Sequence, residues 1–164
     1  MAISTSYAQD NSAFSAADGV TERSNNLTLS SYTSLTVPSG ATVNGITLIW
    51  TGGTIGWNQE TEVMSVNNGG AAFSEPLSAT LGTPTEGSKA PYGILQFGGS
   101  TNLWGLTWTP DQANSISTKF TVVGEGQTAY HDAFQIGIHY TLLTSHKIII
   151  PSGLVKISSG KITL

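Results

Sequence analysis

Apolar and polar residues alternate most regularly between residues 134 and 142. Every second residue there is apolar, namely Phe134, Ile136, Ile138, Tyr140 and Leu142. The residues between them are Gln, Gly, His and Thr. Successive side chains of a β-strand point to opposite faces, so this pattern predicts a strand with one buried and one solvated face. The segment therefore predicts one wall of a β-sheet core.

Shorter apolar segments follow one another along the rest of the chain, separated by turn-forming residues such as Pro38-Ser39-Gly40 and Asn44-Gly45. They predict strands around residues 27–29, 35–37, 46–50, 60–66, 92–97 and 119–123, with a weaker one within 74–91. No stretch carries the i, i+3, i+4, i+7 apolar stripe of an amphipathic helix. The pattern predicts an all-β fold: a two-sheet antiparallel β-sandwich of jelly-roll or Greek-key type, with extended N- and C-terminal arms.

The 164 residues suit a single domain with tails. We expect an N-terminal arm over residues 1–25, the β-sandwich over 26–142, and a C-terminal β tail over 143–164. Three consecutive isoleucines in the tail cannot share one sheet face, so the tail needs cover on both faces. A neighbouring subunit or partner could provide it, or the tail could fold back on its own sandwich. The predicted assembly contacts are Lys147, Ile148, Ile149, Ile150, Leu154, Val155, Lys156, Ile157, Lys161 and Ile162.

Charge and composition narrow the possible partners. Only 10% of residues are charged, and six basic residues against ten acidic ones argue against nucleic-acid binding. No apolar run approaches the roughly 20 residues of a membrane helix, and the N-terminus does not resemble a signal peptide. Cysteine is absent, which excludes disulfides and thiolate zinc sites and fits assembly in a reducing cytosol. Residues 1–88 hold seven acids and one base, whereas the tail holds three lysines and no acid.

His131 and Asp132 form the first candidate pair for chemistry. Adjacent residues of a strand point to opposite faces, so the two cannot easily share a ligand. His139 has the parity of His131 but lies about 26 Å along the strand at ~3.3 Å per residue. We expect His139 to be exposed and Asp132 to tie down the turn before the strand. No metal site is predicted here.

Glu60 and Glu62 form the second candidate pair, on one strand face at the roughly 7 Å spacing that glycosidase carboxylates can have. Such pairs normally face each other across a cleft from different elements, so we interpret these two as solvated acids. The sequence contains no nucleophile elbow, HExxH, phosphate-binding or calcium-loop motif. It therefore predicts a non-enzymatic protein with no catalytic residue, no cofactor and no metal.

The four tryptophans allow two interpretations. Trp50 lies in an alternating strand and is predicted to be core. Trp57 lies in a Gly-flanked loop, Trp104 follows the GGSTNL turn, and Trp108 precedes Thr109-Pro110. A row of exposed rings at these positions would form a platform for a glycan. We favour the alternative that Trp104 and Trp108 clamp a long crossover onto the sandwich.

Three segments resemble a β-sandwich module of tailed-bacteriophage virion proteins. They are VPSGATVNGI (37–46), GGSTNLWGLTWT (98–109) and DAFQIGIHYT (132–141). The resemblance implies a virion structural protein, made in the bacterial cytoplasm and placed on the capsid surface. The implied role is a decoration, or cement, protein that contacts the major capsid protein and itself, with a trimer favoured. A tail or baseplate component and a carbohydrate-binding module for host attachment are the alternatives.

Overall fold

The computed structural model describes residues 4–9, 22–23, 26–30, 32, 34–55, 61–80, 93–123, 128–142, 156–158 and 161–163. Within these ranges almost all regular structure is β, so the predicted all-β class is confirmed. The strands are β1 (Ser4–Gln9), β2 (Glu22–Arg23), β3 (Asn26–Leu29), β4 (Ala41–Ile55), β5 (Thr61–Asn67), β6 (Leu77–Ala79), β7 (Gly93–Gly99), β8 (Ser117–Val123), β9 (Thr128–Leu142), β10 (Lys156–Ser158) and β11 (Lys161–Thr163). One short helix, α1 (Pro110–Asn114), precedes β8.

The strands form two main antiparallel sheets. The first has the order β1-β9-β4-β7, with β2 also paired to β9, and the second has the order β3-β8-β5-β6. Strands β4 and β9 are each 15 residues long and pair with each other along nearly their whole length. Strands β10 and β11 pair with each other as a separate two-stranded sheet.

The inner faces of the two main sheets share one hydrophobic core. Residues at alternating positions of the central strands are fully or almost fully buried: Ile46, Leu48, Trp50, Met64, Val66, Phe120, Val122, Phe134, Ile136 and Ile138. Trp50 of the first sheet meets Phe120 of the second, with ring centroids 4.8 Å apart. Each large side chain buried in this way contributes roughly 1.5–3 kcal/mol. The apolar residues that alternate in the sequence thus form the contact between the two sheets.

Two β-bulges interrupt the pairing of β4 with β9. One lies between Val43 and Gly45, and the other between Thr51 and Gly52. At the second bulge Thr51 pairs with Ala133 and Gly52 pairs with His131, so Asp132 is the extra residue of β9. An extra residue changes which face the following side chains occupy. The alternation seen in residues 134–142 therefore does not extend back through residue 132.

The predicted strands at 60–66, 92–97 and 119–123 correspond to β5, β7 and β8. Within the predicted N-terminal arm, Ser4–Gln9 pairs with Tyr140 to Gln135 of β9 and so belongs to the first sheet. The predicted strand at 35–37 is instead irregular, although Val37 is buried. The helix α1 was not predicted, because its five residues are too few to show an apolar stripe.

Candidate functional site

The three segments that carry the phage resemblance meet at Ile46. The backbone N–H of Ile46 donates to the carbonyl of Asn102 at 2.9 Å, and its carbonyl accepts from Trp104 Nε1 at 3.0 Å. Ile46 also pairs with Ile138 of β9 on the other side. The turn after β7 thus supplies the hydrogen bonds for Ile46 at the end of the β4–β7 ladder. One residue of the central strand connects all three segments.

Two glycines make this close approach possible. A Cβ on Gly45 would overlap the carbonyl oxygen of Gly99 and the backbone of Ser100. A Cβ on Gly98 would overlap the carbonyl oxygen of Ile46, and Gly98 also has a φ of 72°. Only glycine fits a position that combines positive φ with such contacts. These glycines serve backbone packing.

Trp104 is 3% exposed and Trp108 is half-buried. Trp108 Nε1 donates to the carbonyl of Leu103 at 3.1 Å, and both rings pack against the main core. Trp104 therefore offers no exposed face on which a sugar could stack, as the predicted glycan platform required. The burial agrees with the interpretation that these rings clamp the crossover. Trp57, the third predicted glycan contact, lies outside the described residues.

The end of the same crossover is fixed by an amide side chain. Asn114 Oδ1 accepts from the backbone N–H of Val37 at 2.7 Å, and Asn114 Nδ2 donates to the carbonyl of Val37 at 3.0 Å. Helix α1 presents Asn114 at its last position and begins with a capping box between Thr109 and Gln112. The polar residues of this segment therefore hold the chain leading into β4 against the crossover.

His131 lies in the core, fully buried between the two sheets. Trp50 Nε1 donates to His131 Nδ1 at 3.0 Å. The His131 ring lies 4.9 Å from the Phe120 ring and 5.3 Å from the Phe134 ring, centroid to centroid. The expectation that His131 shares a face with His139 was wrong, because the bulge at Asp132 brings His131 to the inner face.

Asp132 is also buried, at 1% exposure. It lies inside β9, so the expectation that it ties down a turn before the strand was wrong. Glu62 is fully buried as well, on the same face of β5 as Met64 and Val66, which corrects its interpretation as a solvated acid. Its parity with Met64 and Val66 is visible in the sequence and could have indicated this burial. Glu60, the other member of the proposed pair, lies outside the described residues.

His139 is half-buried on the outer face of β9, although we expected it to be exposed. Its Nε2 lies 2.8 Å from Thr47 Oγ1 on the neighbouring strand β4, within hydrogen-bond distance. Burial lowers the pKa of His139 below the ordinary value of 6.5. Folding therefore favours the neutral form of this ring more than water does.

The side chains of Glu62, His131 and Asp132 are all enclosed in the fold. No group of three or more His, Asp or Glu side chains in the described part of the chain is placed to hold a metal ion. The side chains of Glu62 and His131 have no exposed surface, so a substrate in solvent cannot contact them in this structure. Both side chains lie on the inner faces of the two sheets.

Part of the predicted assembly surface falls on β10 and β11. Lys156 pairs with Thr163, Ile157 pairs with Ile162, and Ser158 pairs with Lys161. The remaining predicted contacts lie outside the described residues: Lys147, Ile148, Ile149, Ile150, Leu154 and Val155. The tail thus contains a hairpin of three residues per strand.

No protein-family model matches the chain, and no curated protein matches it significantly. Within the described residues, no helix has the length and apolar character that crossing a membrane requires.

Proposed function

We propose that the protein is a non-enzymatic structural protein of a bacteriophage virion, a capsid decoration protein that bridges neighbouring major capsid proteins. The two sheets would form a sandwich of jelly-roll or Greek-key type, with the C-terminal tail as the bridging element. The hairpin of β10 and β11 is the observation that carries this proposal.

A hairpin of this size is not expected to be stable alone. Each strand has three residues, and in the described part of the chain neither strand pairs with either main sheet. Two-stranded hairpins are at best marginally stable in water, and a third strand or a packing surface is needed. Strand addition at the edge of a neighbouring sheet satisfies that need and forms an intermolecular contact in one step.

Charge supports an intermolecular role for the tail. Lys156 and Lys161 lie on the hairpin, and the 22 residues of the tail contain no acid. Residues 1–88 hold seven acids, of which Glu62 is buried and so contributes nothing to the surface. A basic tail and an acidic body attract each other between copies, which steers association and makes it sensitive to salt.

The buried polar groups also favour a structural role. The segments that resemble the phage module are used to hold β4, β7 and β9 together around Ile46. The histidine and carboxylates that first suggested chemistry, His131, Asp132 and Glu62, are enclosed in the fold.

The test compares two variants of the full-length chain. Ile157→Pro removes a backbone donor from β10 and blocks the hairpin, whereas Ile157→Val keeps a β-branched residue there. Binding is measured by co-sedimentation with shells of the phage that carries the gene, and self-association by analytical ultracentrifugation. We expect Ile157→Pro to lose at least tenfold in shell binding or trimer formation with its far-UV circular dichroism retained, and Ile157→Val to bind normally.

Normal binding and normal self-association of Ile157→Pro would refute the bridging role of the tail. The number of copies of this protein in purified virions distinguishes a position on the capsid from one in the tail. A fixed ratio to the major capsid protein is expected for a decoration protein, and a few copies per particle would instead place the protein in the tail.

A further inference from the structure

We propose that His131 makes the packing of the two sheets sensitive to acid. The sheets pack stably while the His131 ring is neutral, and protonation of the ring favours their separation. The proposed role of His131 in the core is independent of the proposed virion role. It rests on the position of His131 and on the direction of one hydrogen bond.

The hydrogen bond fixes the state of the ring. The indole N–H of Trp50 can only donate, so His131 Nδ1, 3.0 Å away, must accept. A ring whose Nδ1 accepts is neutral and carries its proton on Nε2. Protonation at Nδ1 would bring two N–H groups face to face and break the bond. The packing seen in the structure therefore requires a neutral His131 ring.

The surroundings of His131 join the two sheets. Trp50 and Phe134 belong to the first sheet, and Phe120 of the second sheet meets the rings of all three other residues. Each of these four side chains is fully buried. A charge on His131 would lie among three aromatic rings without bulk water, where an ion is strongly disfavoured. Separating the sheets gives the charged ring access to solvent.

Charged residues lie on the strand of His131, on its neighbouring strand β2 and on β5 of the second sheet. Glu62 of β5 and Asp132 of β9 are buried, and Glu22 and Arg23 of β2 pair in register with His131 and Tyr130. A carboxylate close to the ring would favour its imidazolium form and oppose the effect of the aromatic surroundings. The hydrogen bond from Trp50 decides between the two effects, because it is compatible only with a neutral Nδ1.

The expected effect follows from proton linkage. If His131 stays neutral in the folded protein and has an ordinary pKa near 6.5 when unfolded, the unfolding constant rises about 30-fold between pH 7.5 and pH 5.0. Other titrating groups also change the unfolding constant between these pH values. The contribution of His131 is therefore the difference between the rise in the wild type and the rise in a variant that cannot titrate at position 131.

The experiment measures urea unfolding at pH 7.5 and pH 5.0 for the wild type, His131→Asn and His139→Asn. An asparagine at 131 offers an amide oxygen near the position of Nδ1 and carries no titratable group. We expect the acid-induced rise in the unfolding constant to shrink by at least tenfold in His131→Asn. His139→Asn, the control, should lose only the smaller part that the half-buried His139 contributes and should keep most of the wild-type rise. An equal rise in the wild type and His131→Asn would overturn the proposal.

A direct measurement covers the case in which His131→Asn does not fold. The ring C–H resonances of the wild type are followed by NMR from pH 7.5 to pH 5.0. We expect His131 to show no titration while the protein remains folded, and His139 to titrate. A His131 resonance that moves to the imidazolium shift without unfolding would also overturn the proposal.

Discussion

Replacing Trp104 with Phe tests whether the meeting point at Ile46 stabilises the fold. The change keeps an aromatic ring but removes the indole N–H that donates to the carbonyl of Ile46 at 3.0 Å. Trp104 is 3% exposed, so solvent cannot easily replace the donor. A buried carbonyl left without its partner costs about 1–3 kcal/mol. The smaller ring leaves unfilled volume that adds about 1 kcal/mol.

The expected loss is therefore about 2–4 kcal/mol in the free energy of unfolding, or roughly 5–15 °C in Tm for a domain of this size. Urea and thermal unfolding followed by far-UV circular dichroism measure both quantities. Trp108→Phe is the matched control, because its ring is half-buried and its N–H donates to Leu103 in the same crossover. Trp108→Phe should lower the free energy of unfolding by about 1 kcal/mol. If Trp104→Phe lowers the free energy of unfolding no more than Trp108→Phe does, the hydrogen bond to Ile46 does not stabilise the fold as expected.

Three further predictions concern other positions. Asn114→Ala removes both hydrogen bonds to the backbone of Val37 and should lower the free energy of unfolding by about 2–4 kcal/mol in urea; Asn114→Asp keeps the acceptor for the Val37 N–H and should retain part of that stability. Gly45→Ala places a Cβ against the carbonyl oxygen of Gly99 and should cost at least about 3 kcal/mol, so a Tm within roughly 2 °C of the wild type would contradict it. The pKa of His139 is lowered by burial, so the unfolded state binds more protons below pH 6.5. His139 therefore contributes stability that is complete above pH 6.5 and is lost as the pH falls through its lowered folded value. His139→Gln should flatten this part of the pH profile, and an unchanged profile would contradict the assignment.

The alternation of apolar residues was sufficient to predict the β class and most of the core. Phe134, Ile136 and Ile138 are fully buried, as their parity required. The strands β5, β7 and β8 were also found, because each combines β-branched or aromatic residues with a neighbouring turn. The alternation of apolar residues therefore identifies the buried side chains wherever a strand pairs without a bulge.

The positions of the polar candidates could not be derived in the same way. The bulge at Asp132 depends on how β9 pairs with the distant strand β4, and a two-residue period carries no signal of it. For the same reason the sequence could not show that His131 meets Trp50. The link between Asn114 and Val37 joins residues 77 positions apart and is likewise a property of the tertiary fold.

The three segments that resemble the phage module hold the fold together around Ile46, so the resemblance predicts a shared packing. Gly45, Gly98 and Trp104 are required by the contacts around Ile46, so a protein that shares these residues is expected to share this packing. The proposed virion role would then depend on surfaces outside the three segments, of which the tail hairpin is our candidate. Trp104→Phe and Ile157→Pro separate the two contributions. The first should lower stability and leave shell binding per folded molecule unchanged, whereas the second should weaken binding and leave the unfolding of the main sheets unchanged. A loss of binding by folded Trp104→Phe would instead place the contact surface on the crossover itself.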